Sequence, residues 1–285
     1  MTVWLFNLDA DIELAMGKGY SPSHAVLAAM TAPRARLAAE LARPGDGVVV
    51  EDASGARIEG ANDTRGRAFC PTPRAIALFR RLGVEPEPHP PVEVLRRVNG
   101  RAFSAALGQT LEGAVFATSV EEARRVIASA PPIGAQWRVK RAFGMAGRGQ
   151  RPIAPGALGD ADAAYLRASI ERDGGIQIEP EVELVRELGL HGVRDATGEL
   201  RVGRLVEQRC DATGQWLESR PATDVIAERR LREELERVAS ALAGAGYFGP
   251  FGIDAFEYRV DTELRFNPRS EINARYSMGF AASGL

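Results

Sequence analysis

Two stretches near the C-terminus constrain the fold of this chain more than anything else in it. Phe251-Gly-Ile-Asp-Ala-Phe-Glu-Tyr258 and Asn267-Pro-Arg-Ser-Glu-Ile-Asn-Ala-Arg275 both alternate apolar with polar residues, with a short polar stretch between them. A period of two is the signature of a half-buried strand, so the two runs are expected to lie side by side. Residues i and i+2 of a strand point the same way. Glu271, Asn273 and Arg275 therefore share one face, within reach of Asp254 on the neighbouring run. Asp254 sits among apolar residues, and a buried carboxylate is costly unless it faces a cation or is neutralised. Oxygen ligands on one face, beside a second carboxylate, are what Mg²⁺ takes when it also holds phosphates. The arginine ending the row suits a planar anion. The competing reading is a structural ion-pair network with Arg269 and Arg275. Asn273 argues against it, because a neutral amide adds little to an ion pair but can ligate Mg²⁺.

With 285 residues the chain allows two domains or one large one, and easily buries a core. Hydrophobic residues make up 45% and the formal net charge is −2, so nothing pulls the molecule as a whole toward nucleic acid or an anionic membrane. The two cysteines, Cys70 and Cys210, have no metal-ligand spacing. They are expected to be idle thiols in a reducing compartment. No run approaches the roughly 18 apolar residues of a membrane span. Met1-Thr-Val-Trp-Leu-Phe reads as a first strand rather than a signal peptide. The cytoplasm is the expected location.

Residues 1–98 are expected to form a small α/β unit. It has a strand over 3–8, an acidic segment through Glu13, and a helix over 23–41 broken or kinked at Pro33. A parallel strand follows at 47–51, then a helix over 73–82 and a proline-rich connector at 84–91. Beyond it, helices are expected over 95–107, 119–130, 160–172 and 227–244. A strand or loop is expected over 113–118, and strands over 137–140, 176–180, 182–193, 200–208 and 215–219, with turns at 196–198 and 212–214. Ser119 and Glu122 form a capping box.

Two more clusters carry chemistry. Lys140 ends a strand just before a glycine-rich stretch, 141–150. Gly144, Gly147 and Gly149 would let backbone N–H groups approach phosphate, with Lys140 and Arg148 supplying charge. The stretch is neither a P-loop nor a dinucleotide fingerprint, and it also reads as a plain surface hairpin. The second cluster runs from Glu179-Pro180 to Glu187, where a strand ending at proline could offer backbone groups to an adenine edge and Glu187 could reach ribose or the metal zone. Alternating acids on a half-solvated strand explain Glu181 and Glu183 equally well. No general base is singled out, and His24 and His191 are the candidates.

The order of these pieces resembles the ATP-grasp superfamily of carboxylate–amine ligases. The likeness spans residues 99–285, with residues 1–98 as the α/β domain that precedes it. Gly252-Ile-Asp-Ala-Phe resembles the metal-binding strand of D-alanine–D-alanine ligases. Ser270-Glu-Ile-Asn-Ala-Arg275 resembles that of biotin carboxylases. The resemblance implies two antiparallel sheets sandwiching ATP, a lid subdomain over about 112–178 and a metal-binding subdomain over about 179–285. It implies Asp254, Glu271 and Asn273 on Mg²⁺ (or Mn²⁺), and Lys140 and the glycine loop on the phosphates. It further implies Glu179 and Glu187 on the nucleoside, and Arg275 on the acylphosphate or oxyanion. The loop at 143–149 would close as a lid. Arg101 stands where the family usually has an earlier lysine. The arginine that often precedes the metal-binding aspartate is absent, and the chain ends soon after Phe280, where longer members contact substrate. The expected activity joins a small-molecule carboxylate to an amine. A kinase-like phosphotransferase and a non-catalytic nucleotide-binding module are the alternatives, and a homodimer is left open.

Overall fold

The computed structural model describes residues 1–52, 55–60, 65–145, 148–211 and 216–285. The N-terminal unit contains β1 (Val3–Leu5), α1 (Ala10–Met16), α2 (His24–Leu41), β2 (Gly47–Asp52), β3 (Gly55–Gly60), β4 (Arg65–Ala68), α3 (Pro73–Arg81) and β5 (Glu85–Pro86). Its sheet has the order β3-β2-β1-β4-β5, with β1 parallel to both β2 and β4. Val3, Trp4 and Leu5 are all buried, which is why β1 reads as a continuous apolar run rather than an alternating one. Thr72 caps α3 by accepting from the Ala75 N–H, and Pro73 follows at a position where its missing N–H costs nothing.

Three local expectations change here. The acidic segment after β1 is helical, as α1. Helix α2 continues through Pro33. The carbonyl that Pro33 leaves unserved belongs to exposed Ala29, where solvent can replace the lost bond. Strand β3 was not anticipated, because as an edge strand pairing antiparallel to β2 it shows little apolar alternation.

Next come α4 (Val92–Asn99), α5 (Arg101–Ala106), β6 (Val115–Ala117), α6 (Val120–Ala128), β7 (Trp137–Met145), β8 (Arg148–Ile153), α7 (Asp160–Asp173) and β9 (Ile176–Pro180). The expected single helix over 95–107 divides at Gly100. The four strands form a sheet in the order β6-β9-β7-β8, antiparallel throughout. Ile127 of α6 and Leu166 of α7 pack on Val139 and Ile178 of this sheet. The capping box forms, with Ser119 Oγ accepting from Glu122 N at 3.1 Å while Glu122 accepts from Thr118 N at 2.9 Å.

The rest comprises β10 (Glu183–Arg194), β11 (Leu200–Val202), β12 (Val206–Cys210), β13 (Trp216–Pro221), α8 (Val225–Gly244), β14 (Gly249–Val260) and β15 (Glu263–Asn273). They make a six-stranded sheet, β13-β12-β10-β14-β15 with β11 added to β10. The expected strand over 200–208 is thus two strands, and the expected turn at 212–214 lies outside the described residues. One face of this sheet is apolar: Leu188, Leu190, Ile253 and Ile272 pack against Leu231, Leu235 and Val238 of α8. Leu95 and Val98 of α4 join the same core. Alternation then sends the intervening polar residues to the opposite face, which is where the site lies. Among the described residues no helix is long and apolar enough to cross a membrane.

Candidate active site

A cleft of about 510 Å³ opens between the four-stranded sheet, the polar face of the six-stranded sheet and helix α2. Lys140, Glu179, Glu187, Asp254, Glu271, Asn273, Arg275, Arg101, Gly144 and Gly149 all line it. Gly147 and the side chain of Arg148 lie outside the described part of the chain.

The floor is set by register. Asp254 pairs directly with Glu271 across β14 and β15, and Gly252 pairs with Asn273. On the other side of β14, Asp254 pairs with Gly189 of β10. A Cβ at position 189 would come within 2.8 Å of Gln208 Nε2. The glycine thus makes room for the Gln208 amide, which donates to Asp254 Oδ1 at 2.8 Å. Asn273 Nδ2 donates to the other oxygen, Oδ2, also at 2.8 Å. Burial and the neighbouring Glu271 charge push the Asp254 carboxyl up to about 6, against the two amide bonds that favour its ionised form. Glu271 Oε1 accepts from Arg101 Nη2 at 3.0 Å, while Arg101 Nε donates to the Arg141 carbonyl, also at 3.0 Å.

The opposing wall carries Lys140 on β7, ion-paired with Glu179 on β9. The stretch 141–150, expected as an open loop, is mostly strand: β7 runs on to Met145 and β8 begins at Arg148. The local alternation persists (Ala142 is buried), and cross-strand pairing outweighs the glycines' preference for loops. The ladder shifts register between Lys140 and Met145, and Gly149 takes a φ of +78°. A Cβ there would come within 2.8 Å of Arg141 Cδ. Gly149 is thus needed for its own turn geometry, as in the plain-hairpin reading. Glu187 faces the cleft beside Cys210, whose thiol is pushed up to about 12 by burial and the Glu187 charge. That thiol is inert at neutral pH.

Arg275 is held from the N-terminal unit. Its Nη2 and Nε donate to the two carboxylate oxygens of Asp11 at 2.6 and 3.3 Å, and its Nη1 donates to the Tyr276 carbonyl at 3.0 Å. The other acids of that segment are occupied structurally. Asp9 accepts from the Tyr20 hydroxyl, and Glu13 accepts from Thr72 and from the Arg74 N–H. The sequence also suggests that residues 7–13 and 17–22, which follow the first strand, line a substrate pocket; of these, Leu8 is the one that lines the cleft.

The histidines part company. His24 is exposed at the start of α2. His191 is fully buried, sits over Gly252 and Gly279, and is hydrogen-bonded through Nε2 to Ser277 Oγ at 2.7 Å. Burial lowers its pKa to about 4, so it is neutral at physiological pH.

Sequence reasoning missed Gln208, Ser277 and the pairing of Asp11 with Arg275. Gln208 is legible only once β12 is known to flank β10, and Asp11 only once the N-terminal unit docks. The α2 wall was missed as well, since its apolar positions resemble those of any surface helix.

A divalent cation would be held here by side-chain oxygens. Among the described residues no three His, Cys, Asp or Glu side chains gather to hold a metal; Asp254 and Glu271 offer two carboxylates, and Asn273 adds an amide on the same face of the ladder. The arrangement fits one. Two carboxylates stand directly opposed, and the Asp254 carboxyl is raised first by burial and then by the Glu271 charge beside it. Rotating the Asn273 amide exchanges its donor for an acceptor oxygen.

No protein-family model matches the sequence, and no curated protein sequence matches it. Solved structures do. Biotin carboxylase from Campylobacter jejuni in its beta-gamma-ATP complex superposes with a TM-score of 0.58 at 16% identity, covering 99% of this chain and 67% of that one. D-alanyl-alanine synthetase A from Vibrio cholerae gives 0.55 at 13%, covering 100% and 90%. N5-carboxyaminoimidazole synthetase from Staphylococcus aureus, complexed with ADP, gives 0.52 at 15%, covering 96% and 70%. The likeness extends over nearly the whole chain in each case, and the chain has the ATP-grasp fold.

Proposed function

We propose that this protein is an ATP- and Mg²⁺-dependent ligase that activates a small-molecule carboxylate as an acylphosphate for attack by an amine or similar nucleophile. The observation that carries the reading is the opposition, inside one cleft, of the Asp254/Glu271 pair and the Lys140 ammonium. The two similar structures determined with ADP or an ATP analogue support a nucleotide in such a cleft.

In this reading Lys140 and Arg101 offset phosphate charge, and Glu179 keeps Lys140 extended toward the cleft. Asp254, Glu271 and Asn273 would hold a magnesium ion, which when bound would supply positive charge to offset that of the phosphates. A carboxylate oxygen of the substrate attacks the γ-phosphorus, and ADP departs with the electron pair of the broken P–O bond. The amine then adds to the acyl carbon, phosphate leaves, and the amine's proton passes to solvent. Arg275 stabilises the oxyanion of that addition. His191 does not serve as the base, because it is buried and bonded to Ser277. A phosphotransferase that stops at the acylphosphate would use the same residues.

The test is ADP release from Mg·ATP across a panel of carboxylic acids, with and without hydroxylamine. A ligase gives ADP and hydroxamate together, dependent on Mg²⁺. Nucleotide binding that ignores Mg²⁺ and turns over with no acid would overturn the reading.

A further inference from the structure

The cleft extends past the acid cluster to a second end. Along β14 and β15 the ladder runs from Phe256 opposite Asn267 to Gly252 opposite Asn273, and the chain then continues to Arg275, Ser277 and Met278. Phe256 lies at the end near Val182, where Glu179 and Pro180 also line the cleft and where the ligase reading puts the nucleoside. Arg275 lies at the other end, against the N-terminal unit. Every residue which that unit contributes to the cleft lining is apolar: Leu8, Val26, Ala29, Met30, Pro33 and Phe69. Val26, Met30, Pro33 and the buried Leu37 follow one face of α2, at steps of four, three and four.

Two polar groups border this apolar end. Arg275 uses three of its N–H bonds on Asp11 and the Tyr276 carbonyl. Guanidinium carries five, so two remain, on a group whose orientation Asp11 fixes. Ser277 is the second. The Nδ1 of its partner His191 is buried and has no hydrogen-bond partner among the described residues. A buried N–H without an acceptor is rarer and costlier than an unserved acceptor. The proton therefore sits on Nε2, which donates to Ser277 Oγ. The Ser277 hydroxyl hydrogen is left free to donate into the cleft that Ser277 lines.

Building on the ligase reading above, we infer that the acid this site activates has a hydrocarbon body seated on the apolar α2 face and a carboxylate held between Arg275 and Ser277. A phosphorylated or dicarboxylic acid would press a second charge against hydrocarbon, with no partner on that wall to offset its lost hydration.

The test is steady-state ADP release by the full chain with Mg·ATP and hydroxylamine, using 4-methylpentanoate, phenylacetate, leucine and phenylalanine against glutamate, malonate and 3-phosphoglycerate. The apolar group is expected to give kcat/KM values about ten-fold or more above the charged group. Val26 is only half-buried, so Val26→Asp is accommodated at the surface. It should lower kcat/KM for the best apolar acid about ten-fold while KM for ATP is unchanged. Ser277→Ala should raise KM for the acid about ten-fold, and Ser277→Thr should restore it. Highest turnover with a phosphorylated or dicarboxylic acid, or a Val26→Asp enzyme of unchanged preference, overturns the inference and leaves the ligase reading standing. No turnover with any acid, while a fluorescent ATP analogue still binds, overturns both.

Discussion

Asp254 stands directly across the β14–β15 ladder from Glu271, and among the described residues only Glu271 has a cation paired to it, Arg101. Asp254 has two amides instead. That asymmetry gives the site one neutralised and one under-compensated carboxylate, and a pH signature follows from it.

In metal-free protein Asp254 is protonated, folded or unfolded, below its ordinary 3.8. Between there and about 6 the unfolded chain ionises it while the fold retains the proton. Stability is therefore lost as pH rises through that window and levels off above it. His191, lowered from 6.5 to about 4, acts in the opposite sense. The unfolded chain takes up its proton first, so stability is lost as pH falls from 6.5 toward 4. Asp254→Asn removes the first slope and keeps the second. With EDTA present, its urea midpoint should decline more steeply than the wild type's between pH 6.5 and 4. Identical profiles would contradict the burial assigned to Asp254.

Glu271→Gln keeps an acceptor for Arg101 and removes the charge beside Asp254. The fold should persist by circular dichroism, and kcat should fall roughly 10²-fold through lost metal positioning. Unaltered turnover would remove Glu271 from the metal set.

Lys140→Ala should weaken ATP affinity about ten-fold by deleting a charge-assisted contact. It also leaves the buried Glu179 carboxylate without its ion-pair partner, so some loss of thermal stability should accompany it. Isothermal titration with a non-hydrolysable ATP analogue gives the first quantity, and unchanged affinity would make the hairpin purely structural.

Asp11→Asn strips the buried Arg275 guanidinium of its bidentate partner. Breaking a buried pair by neutralising one side costs about 2 to 4 kcal/mol, to be read from urea unfolding. An effect below about 0.5 kcal/mol would mean that Asp11 does not anchor Arg275 in solution.

Gly252→Ala would place a methyl 2.6 Å from His191 Cδ2. The ring must shift away from Ser277, for a loss of about 1 to 3 kcal/mol. In a double-mutant cycle with His191→Ala most of that loss should vanish, because the clash partner is gone. Simple additivity would show that the strain lies elsewhere.

The neighbouring runs around Asp254 and Glu271 were readable because alternation is a local property and fixes which side chains share a face. The capping box at Ser119 and the stop of α8 near Gly244 were readable for the same reason. The stretch 141–150 was not: its glycines favour a loop when taken alone, and only pairing with β8 and β9 decides for strand. Helix α1 was hidden because acids near a helix start look like acids in a loop.

Taken alone, the sequence determined the strand pair at the tail, which oxygen-bearing side chains share its face and the presence of a lysine-bearing strand ahead of it. The tertiary structure decided that Asp11 grips Arg275, that Gln208 reaches Asp254, that His191 is sealed against Ser277, and that α2 closes the cleft with hydrocarbon. The physical reason is sequence distance. Periodicity and capping act over a few residues, whereas contacts such as Asp11 with Arg275 join positions 264 apart and exist only after separate units have packed.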